Sequence, residues 1–209
     1  MVFEIILVVT KTTAKTTTPT TIAMKTTTLT NVIELCDQWP LTYPSLPNLP
    51  TLSKEWSLTF DIRPTGVIAG WSVLFQATIG GSCCSIGTSI PGVWFVHGTS
   101  KIQVQSAVNG QGTYAFTSDS LELNVWSAVQ VRQQLIDGQY IYSILINDTV
   151  VHTVENTTPE TFENVQLHTK FSPFNKPVDV PQADICNYKL QNLPLASGML
   201  FYVDNLLFI

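Results

Sequence analysis

The sequence is poor in charged residues, and basic residues are the scarcer kind. Charged residues make up 12% of the 209 residues, with ten Lys or Arg against fifteen Asp or Glu and a formal net charge of −5. Three lysines, Lys11, Lys15 and Lys25, lie near the N-terminus, which leaves a net charge of about −8 on the rest of the chain. Proteins that track a phosphate backbone present a basic surface. We therefore expect no nucleic-acid partner.

Long hydrophobic runs are also missing. A transmembrane helix needs roughly 20 consecutive apolar residues, and no run in this chain approaches that length. Residues 1–10 lack the basic n-region and the small-residue cleavage site of a signal peptide, and they include Glu4. We interpret this segment as part of the mature protein and predict no membrane span.

Cysteines are few, and they are not spaced as metal ligands. The chain has no CxxC pair, which a zinc site or a redox motif would contain. We predict no metal site and interpret the cysteines as disulfide candidates, which are Cys36, Cys83, Cys84 and Cys186. The adjacent Cys83 and Cys84 could be bonded to each other, bonded separately to Cys36 and Cys186, or reduced. These alternatives stay open.

The two ends of the chain differ from its middle. Residues 1–10 are rich in β-branched and apolar residues, which is typical of a strand. Residues 11–30 are a threonine-rich stretch of low complexity that is too polar for a core, and we interpret it as a linker or stalk. Residues 193–209 contain a second apolar run. We expect strand extensions at the N- and C-termini of a domain that covers 31–192.

The middle of the chain alternates short apolar and polar runs and shows no helical periodicity. In the run 56–62, Trp56, Leu58, Phe60 and Ile62 share one face, and polar residues, which we expect to face water, occupy the other. Further strands are predicted at 71–77, 93–97, 101–108, 126–133, 140–147, 150–155 and 165–171, with hairpin turns at 137–138 and 147–148. We predict an all-β fold, a two-sheet antiparallel jelly-roll sandwich.

The order of these strands resembles that of a known fold. The stretch WSLTFDIRP at 56–64 is followed by Trp71, by the strand from Trp126, by a hairpin around 140–154 and by ADICNYKL at 183–190. This order is similar to that of laminin-G-like and concanavalin-A-like jelly rolls. The resemblance implies two stacked antiparallel sheets, with the closing strand paired near the opening strand. A Cys36–Cys186 bridge would then join neighbouring ends of the sandwich.

The concanavalin-like fold that the chain resembles also includes hydrolases. These enzymes place catalytic carboxylates at alternate positions on one strand. The nearest acidic pairs here, Glu160 with Glu163 and Asp119 with Glu122, lack that spacing. The chain also has no GxSxG or HExxH motif. We predict that the protein is not an enzyme and has no cofactor, and we interpret the histidines as structural residues. They are His97, His152 and His168.

Two kinds of binding site are also considered. Laminin-G-like domains hold calcium at one rim, although no series of ligands like that of an EF-hand occurs here. Sugars stack on exposed aromatic rings, although core packing is the favoured role for each aromatic candidate. The calcium candidates are Asp119, Asp148 and Asp179, and the aromatic candidates are Trp39, Trp94 and Tyr114.

Two tripeptides match the N-glycosylation sequon, and they begin at Asn147 and Asn156. Together with the even number of cysteines, they indicate an oxidising secretory route. We therefore predict an extracellular or cell-surface location.

A monomer has no evident reason to expose two apolar end segments. We predict a structural subunit of an extracellular filament or surface fibre, a homo-oligomer or helical polymer assembled by β-strand addition between subunits. The alternative is a monomeric lectin-like or adhesive module that binds glycans or extracellular proteins. The assembly residues of the first hypothesis are Val2, Phe3, Ile5, Ile6, Leu7, Val8, Val9, Leu200, Phe201, Val203 and Leu206.

Overall fold

A computed structural model of the chain describes residues 33–35, 48–67, 69–81, 84–169 and 182–193. All of them belong to the unit Asn31–Ile209. The described residues form β-strands and no helix, which confirms the predicted all-β fold. The strands are β1 (Ile33–Leu35), β2 (Leu49–Leu52), β3 (Trp56–Pro64), β4 (Ser72–Thr78), β5 (Gly92–Phe95), β6 (Lys101–Val108), β7 (Gln111–Ser120), β8 (Ser127–Ile136), β9 (Gln139–Ile146), β10 (Thr149–Glu155), β11 (Phe162–His168) and β12 (Ala183–Asn192).

The strands form two antiparallel six-stranded sheets. The first sheet has the order β1-β12-β3-β8-β9-β10, and the second has the order β2-β11-β4-β5-β6-β7. β12 pairs with β3, from Ala183 opposite Pro64 to Asn192 opposite Trp56. The closing strand therefore lies beside the strand that carries the WSLTFDIRP stretch, as the resemblance implies.

Alternate residues of β3 face the second sheet and are buried, as the period of two predicts. These residues are Trp56, Leu58, Phe60 and Ile62. Ser57, on the opposite face, was expected to meet water, and this expectation is wrong because its side chain is only 2% exposed. The Gln130 amide of β8 lies over Ser57 and donates a hydrogen bond of 3.0 Å to its hydroxyl.

Tyr188 of β12 connects the two sheets. Its ring stacks on Phe60, with the centroids 5.2 Å apart. Its hydroxyl donates to the backbone oxygen of Leu74 in the second sheet, at 2.9 Å. Burial raises the pKa of Tyr188 well above its usual range, so the hydroxyl keeps its proton and remains a donor.

Three hairpins turn on two residues with positive φ, the geometry of a type I′ turn. This geometry confirms the turns predicted at 137–138 and 147–148. The turn residues and their φ values are Asn109 and Gly110 (53° and 71°), Asp137 and Gly138 (50° and 83°), and Asn147 and Asp148 (50° and 61°).

The connection between β4 and β5 folds back over the outer face of the second sheet. Gln76 and Thr78 alternate with core residues of β4, so they face away from the core. Gln76 donates to the backbone oxygen of Thr88 at 2.7 Å, and Thr78 donates to that of Gly87 at 3.1 Å. Every residue of β4 is consequently buried, although its polar side chains face outward.

Buried amides close one end of the sandwich. Gln133 of β8 donates to the backbone oxygen of Lys54 at 2.7 Å and accepts from the Asn156 amide at 2.7 Å. Asn156 accepts in turn from the backbone N–H of Asn109 at 2.9 Å. This chain of hydrogen bonds joins the β2–β3 connection to the β6–β7 turn, so it ties the first sheet to the second.

The part of the chain that the structure describes contains no helix long and apolar enough to cross a membrane. The predicted segments 1–10 and 11–30, and all but the first residue of 193–209, lie outside the described residues.

We predict that Gln133→Ala lowers the free energy of unfolding by about 2–4 kcal/mol, because it leaves buried donors and acceptors without partners. Gln134→Ala is the matched control. Gln134 is the next residue of the same strand and faces the other way, so its effect should stay within about 0.5 kcal/mol. Urea unfolding of both variants measures the difference, and equal losses would contradict the role of the amide network.

Candidate functional site

The outer face of the first sheet carries a shallow groove near the C-terminal end of β3. Its volume is about 230 Å³. The side chains that matter for its chemistry are Thr59, Asp61, Gln130, Leu145, Asp148 and Asn187. They come from β3, β8, β9, β12 and one hairpin turn, so the groove runs across the strands.

Strand pairing sets the positions of these groups. Thr59 and Asp61 are outward residues of β3 and lie opposite Gln130 and Ala128 of β8. Leu145 of β9 lies opposite Gln130 on the same face. Leu145 is buried despite facing outward, and it provides an apolar floor beside hydroxyl, carboxylate and amide groups.

A β-bulge brings Asn187 to the groove. The pairing of β12 with β3 shifts between Cys186 and Lys189, and Asn187 takes a positive φ of 56° within the shift. A bulge redirects a side chain out of the regular alternation. The Asn187 amide donates to a carboxylate oxygen of Asp61 at 2.6 Å.

Trp126 lies immediately before β8 and two residues before Ala128, which lines the groove, and its side chain is 45% exposed. The guanidinium carbon of Arg63 lies 5.2 Å from the centre of the indole ring. Arg63 is itself held by Asp184, to which its Nη2 and Nε donate at 2.5 and 2.9 Å. Two opposed strands thus fix the cation that packs on the indole.

Exposed apolar side chains also occur in two connections between strands. Val67 and Trp71 lie in the β3–β4 connection, and Leu123 and Val125 lie in the β7–β8 connection. The N–H of Asn124 in the β7–β8 connection donates to the oxygen of Pro64, the last residue of β3, at 2.7 Å. The β7–β8 connection therefore contacts the end of the strand that carries Arg63.

A second, wider crevice of about 570 Å³ opens at the same end. It is lined by Asp119 and Glu122 with Val125, Asn147 and Val151. Asn147 and Asp148 are neighbours in one turn, so that turn borders both the groove and the crevice.

The aromatic candidates of the sequence analysis do not line the groove. Tyr114 packs against the core, with its ring edge-on to Tyr142 at 6.3 Å. Trp94 is half-buried on β5, and its ring fills the space above Gly92. Trp39 lies outside the described residues.

The histidines occupy three different environments. His152 of β10 accepts or donates a hydrogen bond of 2.9 Å with the Tyr114 hydroxyl and stacks on Phe116 at 4.9 Å. These contacts bridge the edges of the two sheets. Burial lowers the pKa of His152 and of His168, whereas His97 is an exposed residue between β5 and β6. The three side chains do not meet at one site, because they lie on different elements.

The acidic candidates are also dispersed. Glu163 accepts a hydrogen bond from the Thr51 hydroxyl at 2.6 Å. Asp119 lines the crevice and Asp148 lines the groove, so these two calcium candidates do not face one cavity. Asp179 lies outside the described residues. Within the described ranges, no group of three or more His, Cys, Asp or Glu side chains is placed to hold a metal ion.

The two sequons differ in accessibility. Asn156 is 2% exposed, and its amide nitrogen donates to Gln133 at 2.7 Å. A glycan on that nitrogen would replace a buried hydrogen bond and would have no room, so the folded domain does not present Asn156 as an acceptor. Asn147 is exposed in its turn and stays a predicted acceptor.

The remaining predicted residues cannot be compared with the structure. Cys36, Cys83 and every predicted assembly residue from Val2 to Val9 and from Leu200 to Leu206 lie outside the described residues. Cys186 lies on β12 opposite Asp61, and Cys84 lies in the β4–β5 connection. The disulfide pairing and the assembly segments stay predictions.

Several groups of the site were missed at the sequence level. Trp126 was interpreted only as the start of a strand, and Asp61 only as a polar residue on the water-facing side of its strand. Ile62 pairs with Ser127, and Arg63 follows Ile62 while Trp126 precedes Ser127, so both side chains share the outer face. No sequence pattern indicates the position of Asn187, because the bulge that directs its side chain cannot be inferred from alternation.

Comparisons with known proteins support the fold. No family model matches the chain, and no curated protein matches it. A botulinum neurotoxin serotype D ligand-binding domain in complex with N-acetylneuraminic acid is 9% identical with a TM-score of 0.51, over 73% of this chain and 36% of that chain. A heptameric SAP-like pentraxin from Limulus polyphemus is 12% identical with a TM-score of 0.50, over 78% of this chain and 76% of that chain.

A sialidase from Trypanosoma rangeli also matches, with 15% identity and a TM-score of 0.47, over 67% of this chain and 21% of that chain. The chain therefore spans about a fifth of the sialidase and just over a third of the neurotoxin domain. The neurotoxin and pentraxin matches confirm the jelly-roll, concanavalin-like fold and no more. The prediction that the chain is not an enzyme stays a prediction.

We predict that the protein loses stability as pH falls below about 6.5. Burial lowers the pKa of folded His152 and His168, so the unfolded chain takes up protons first, and stability that is complete above the ordinary histidine pKa is lost on acidification. His152→Gln should reduce the fall in melting temperature between about pH 7 and pH 5. Part of the fall should remain, because His168 is still present. His97→Gln is the control, because His97 is an exposed residue between β5 and β6. An undiminished fall in His152→Gln would contradict this account.

Proposed function

We propose that this chain is an extracellular glycan-binding module and that the groove on the outer face of the first sheet is its binding site. The observation that carries the proposal is Trp126, an exposed indole packed against Arg63 and two residues before Ala128, which lines a groove with amide, hydroxyl and carboxylate groups. The proposal corresponds to the lectin-like alternative of the sequence analysis.

The chemistry of the groove suits a sugar. A pyranose ring has an apolar face that packs on an indole and a rim of hydroxyls that need donors and acceptors together. Asp61 supplies an acceptor, Asn187 and Gln130 supply amides, and Thr59 supplies a hydroxyl. The Asp61–Asn187 bond of 2.6 Å keeps two of these groups in fixed positions before a ligand arrives.

The positions of Arg63 and Asp184 favour a rigid binding platform. A cation over an indole face is attractive by about 0.5–1 kcal/mol at an exposed site. Asp184 holds the Arg63 guanidinium through two donors, so Arg63 loses little further freedom when it packs on Trp126. An indole that is already ordered loses less entropy when a sugar stacks on it.

An extracellular location is part of this proposal. It is supported by the exposed sequon at Asn147, whose turn borders the groove. The filament hypothesis depends on segments outside the described residues, and no contact of the described residues favours it.

We predict that Trp126→Ala weakens glycan binding by about tenfold or more, because it removes the stacking surface. The fold should persist, since the side chain is 45% exposed. Trp71→Ala is a matched control, because Trp71 is also 45% exposed but precedes β4 of the second sheet. Binding is found on an array of immobilised oligosaccharides and measured by titration calorimetry.

Either of two results would reject this site. The native protein could bind no oligosaccharide on the array, or Trp126→Ala could bind as tightly as the native protein while melting at the same temperature. Loss of binding in Trp71→Ala alone would move the site to the second sheet.

A further inference from the structure

We infer that the groove selects uncharged sugar units and discriminates against sugars that carry a carboxylate. This inference deepens the proposed function and rests on it. It arises from the charges that surround the groove, the position of Trp126 and the hydrogen bonds already made by the polar groups.

The cations of this face do not line the groove. Arg63 is paired with Asp184 at 2.5 Å. Lys189 of β12 lies opposite Thr59 of β3, outside the lining. Arg132 lies two residues beyond Gln130 on β8, opposite Ser57, and does not line the groove.

The carboxylates, by contrast, belong to the groove lining, which includes Asp61 and Asp148. Asp61 lies opposite Cys186 on one side and Ala128 on the other, so no basic residue faces it across either strand. Its hydrogen bond comes from the neutral amide of Asn187. Asp148 projects from the β9–β10 turn at the other side of the groove. The described lining of the groove therefore contains two carboxylates and no basic residue.

A sugar carboxylate in this groove would meet like charge on both sides. Juxtaposed like charges are strongly unfavourable, and they suppress the binding of wrong partners. Carboxylate oxygens, by contrast, accept hydrogen bonds from neutral sugar hydroxyls, and such charge-assisted bonds are stronger than bonds between neutral groups. The groove is thus suited to hydroxyl-rich, uncharged units that stack on Trp126.

The test compares sugars with and without a carboxylate. The matched pair is β-1,4-mannotetraose with β-1,4-tetramannuronate, in which a carboxylate replaces the CH₂OH group of each unit. The second pair is N-acetyllactosamine with its 3′-sialylated form, which adds one sugar unit that carries a carboxylate. Titration calorimetry at low ionic strength should give a dissociation constant at least about tenfold smaller for the uncharged member of any pair that binds. Raising the salt concentration to about 0.3 M should narrow the difference, because added salt screens exposed charges.

The double variant Asp61→Asn/Asp148→Asn should reduce the tenfold difference to about two- or threefold. Asparagine keeps an acceptor for Asn187 at position 61, and it tolerates the positive φ at position 148. Asp137→Asn is the control, because it removes the same charge from a type I′ turn at the opposite end of β9. The control should preserve the difference.

The outcomes separate the two proposals. Equal or tighter binding of the acidic sugars by the native protein overturns this inference and leaves the glycan-binding function standing. A difference that persists in the double variant also overturns it, because the carboxylates would not be its cause. Absence of binding to every glycan, here and on the array, overturns the proposed function and this inference together.

Discussion

The register of β3 between β8 and β12 is the constraint on which both the core and the groove depend. Inward residues of β3 meet the second sheet, and the residues between them, Thr59, Asp61 and Arg63, face outward. A slip of one residue would exchange the two faces. It would expose Phe60 and Ile62 and bury two charged groups without partners, which is a large penalty. The same pairing that stabilises the sandwich therefore presents the groove.

The groove lies where regular pairing stops. The bulge of β12 provides Asn187, and the turn between β9 and β10 provides Asp148. Trp126 lies immediately before β8 begins. Side chains of regularly paired strand residues lie at fixed spacings on a nearly flat surface, whereas bulges and turns change their direction. A concave site on a flat sheet needs such interruptions, and here three of them lie at one end.

Alternation in the sequence was enough to predict most of the fold. The strands with aromatic and β-branched residues were found within a few positions, and the two hairpin turns at 137–138 and 147–148 were correct. β7 was missed because it is an edge strand, and its run GTYAFTSDS contains small and polar residues that read as a loop. β2 was missed because its four residues include Pro50 and are too few to show a period. Edge and short strands are held by their neighbours more than by their own composition.

The site was harder to predict than the fold, and the reason is physical. Core positions must be apolar and recur with a period of two, so they can be recognised in a single sequence. Outward positions carry no such requirement, and polar residues there read as ordinary solvated surface. Asn156 gives the converse case, since a residue that matches a surface motif is buried to join Gln133 and Asn109 across the sheets. Its three-dimensional role lies in a network between distant segments, which no local pattern reveals.

The separation of core from outward positions also limits what the fold says about the ligand. The domain shares its architecture with a neurotoxin domain in complex with N-acetylneuraminic acid, at 9% identity. Because outward residues of β3 can change without disturbing the inward ones, one sandwich can carry grooves of opposite charge preference. The ligand must therefore be argued from Asp61, Asp148 and the cations near them. Asp184 already accepts from Nε and Nη2 of Arg63, so the charge of this guanidinium is partly offset before any ligand binds. Under the proposed function, an acidic sugar is therefore the less favourable ligand even where the fold is shared.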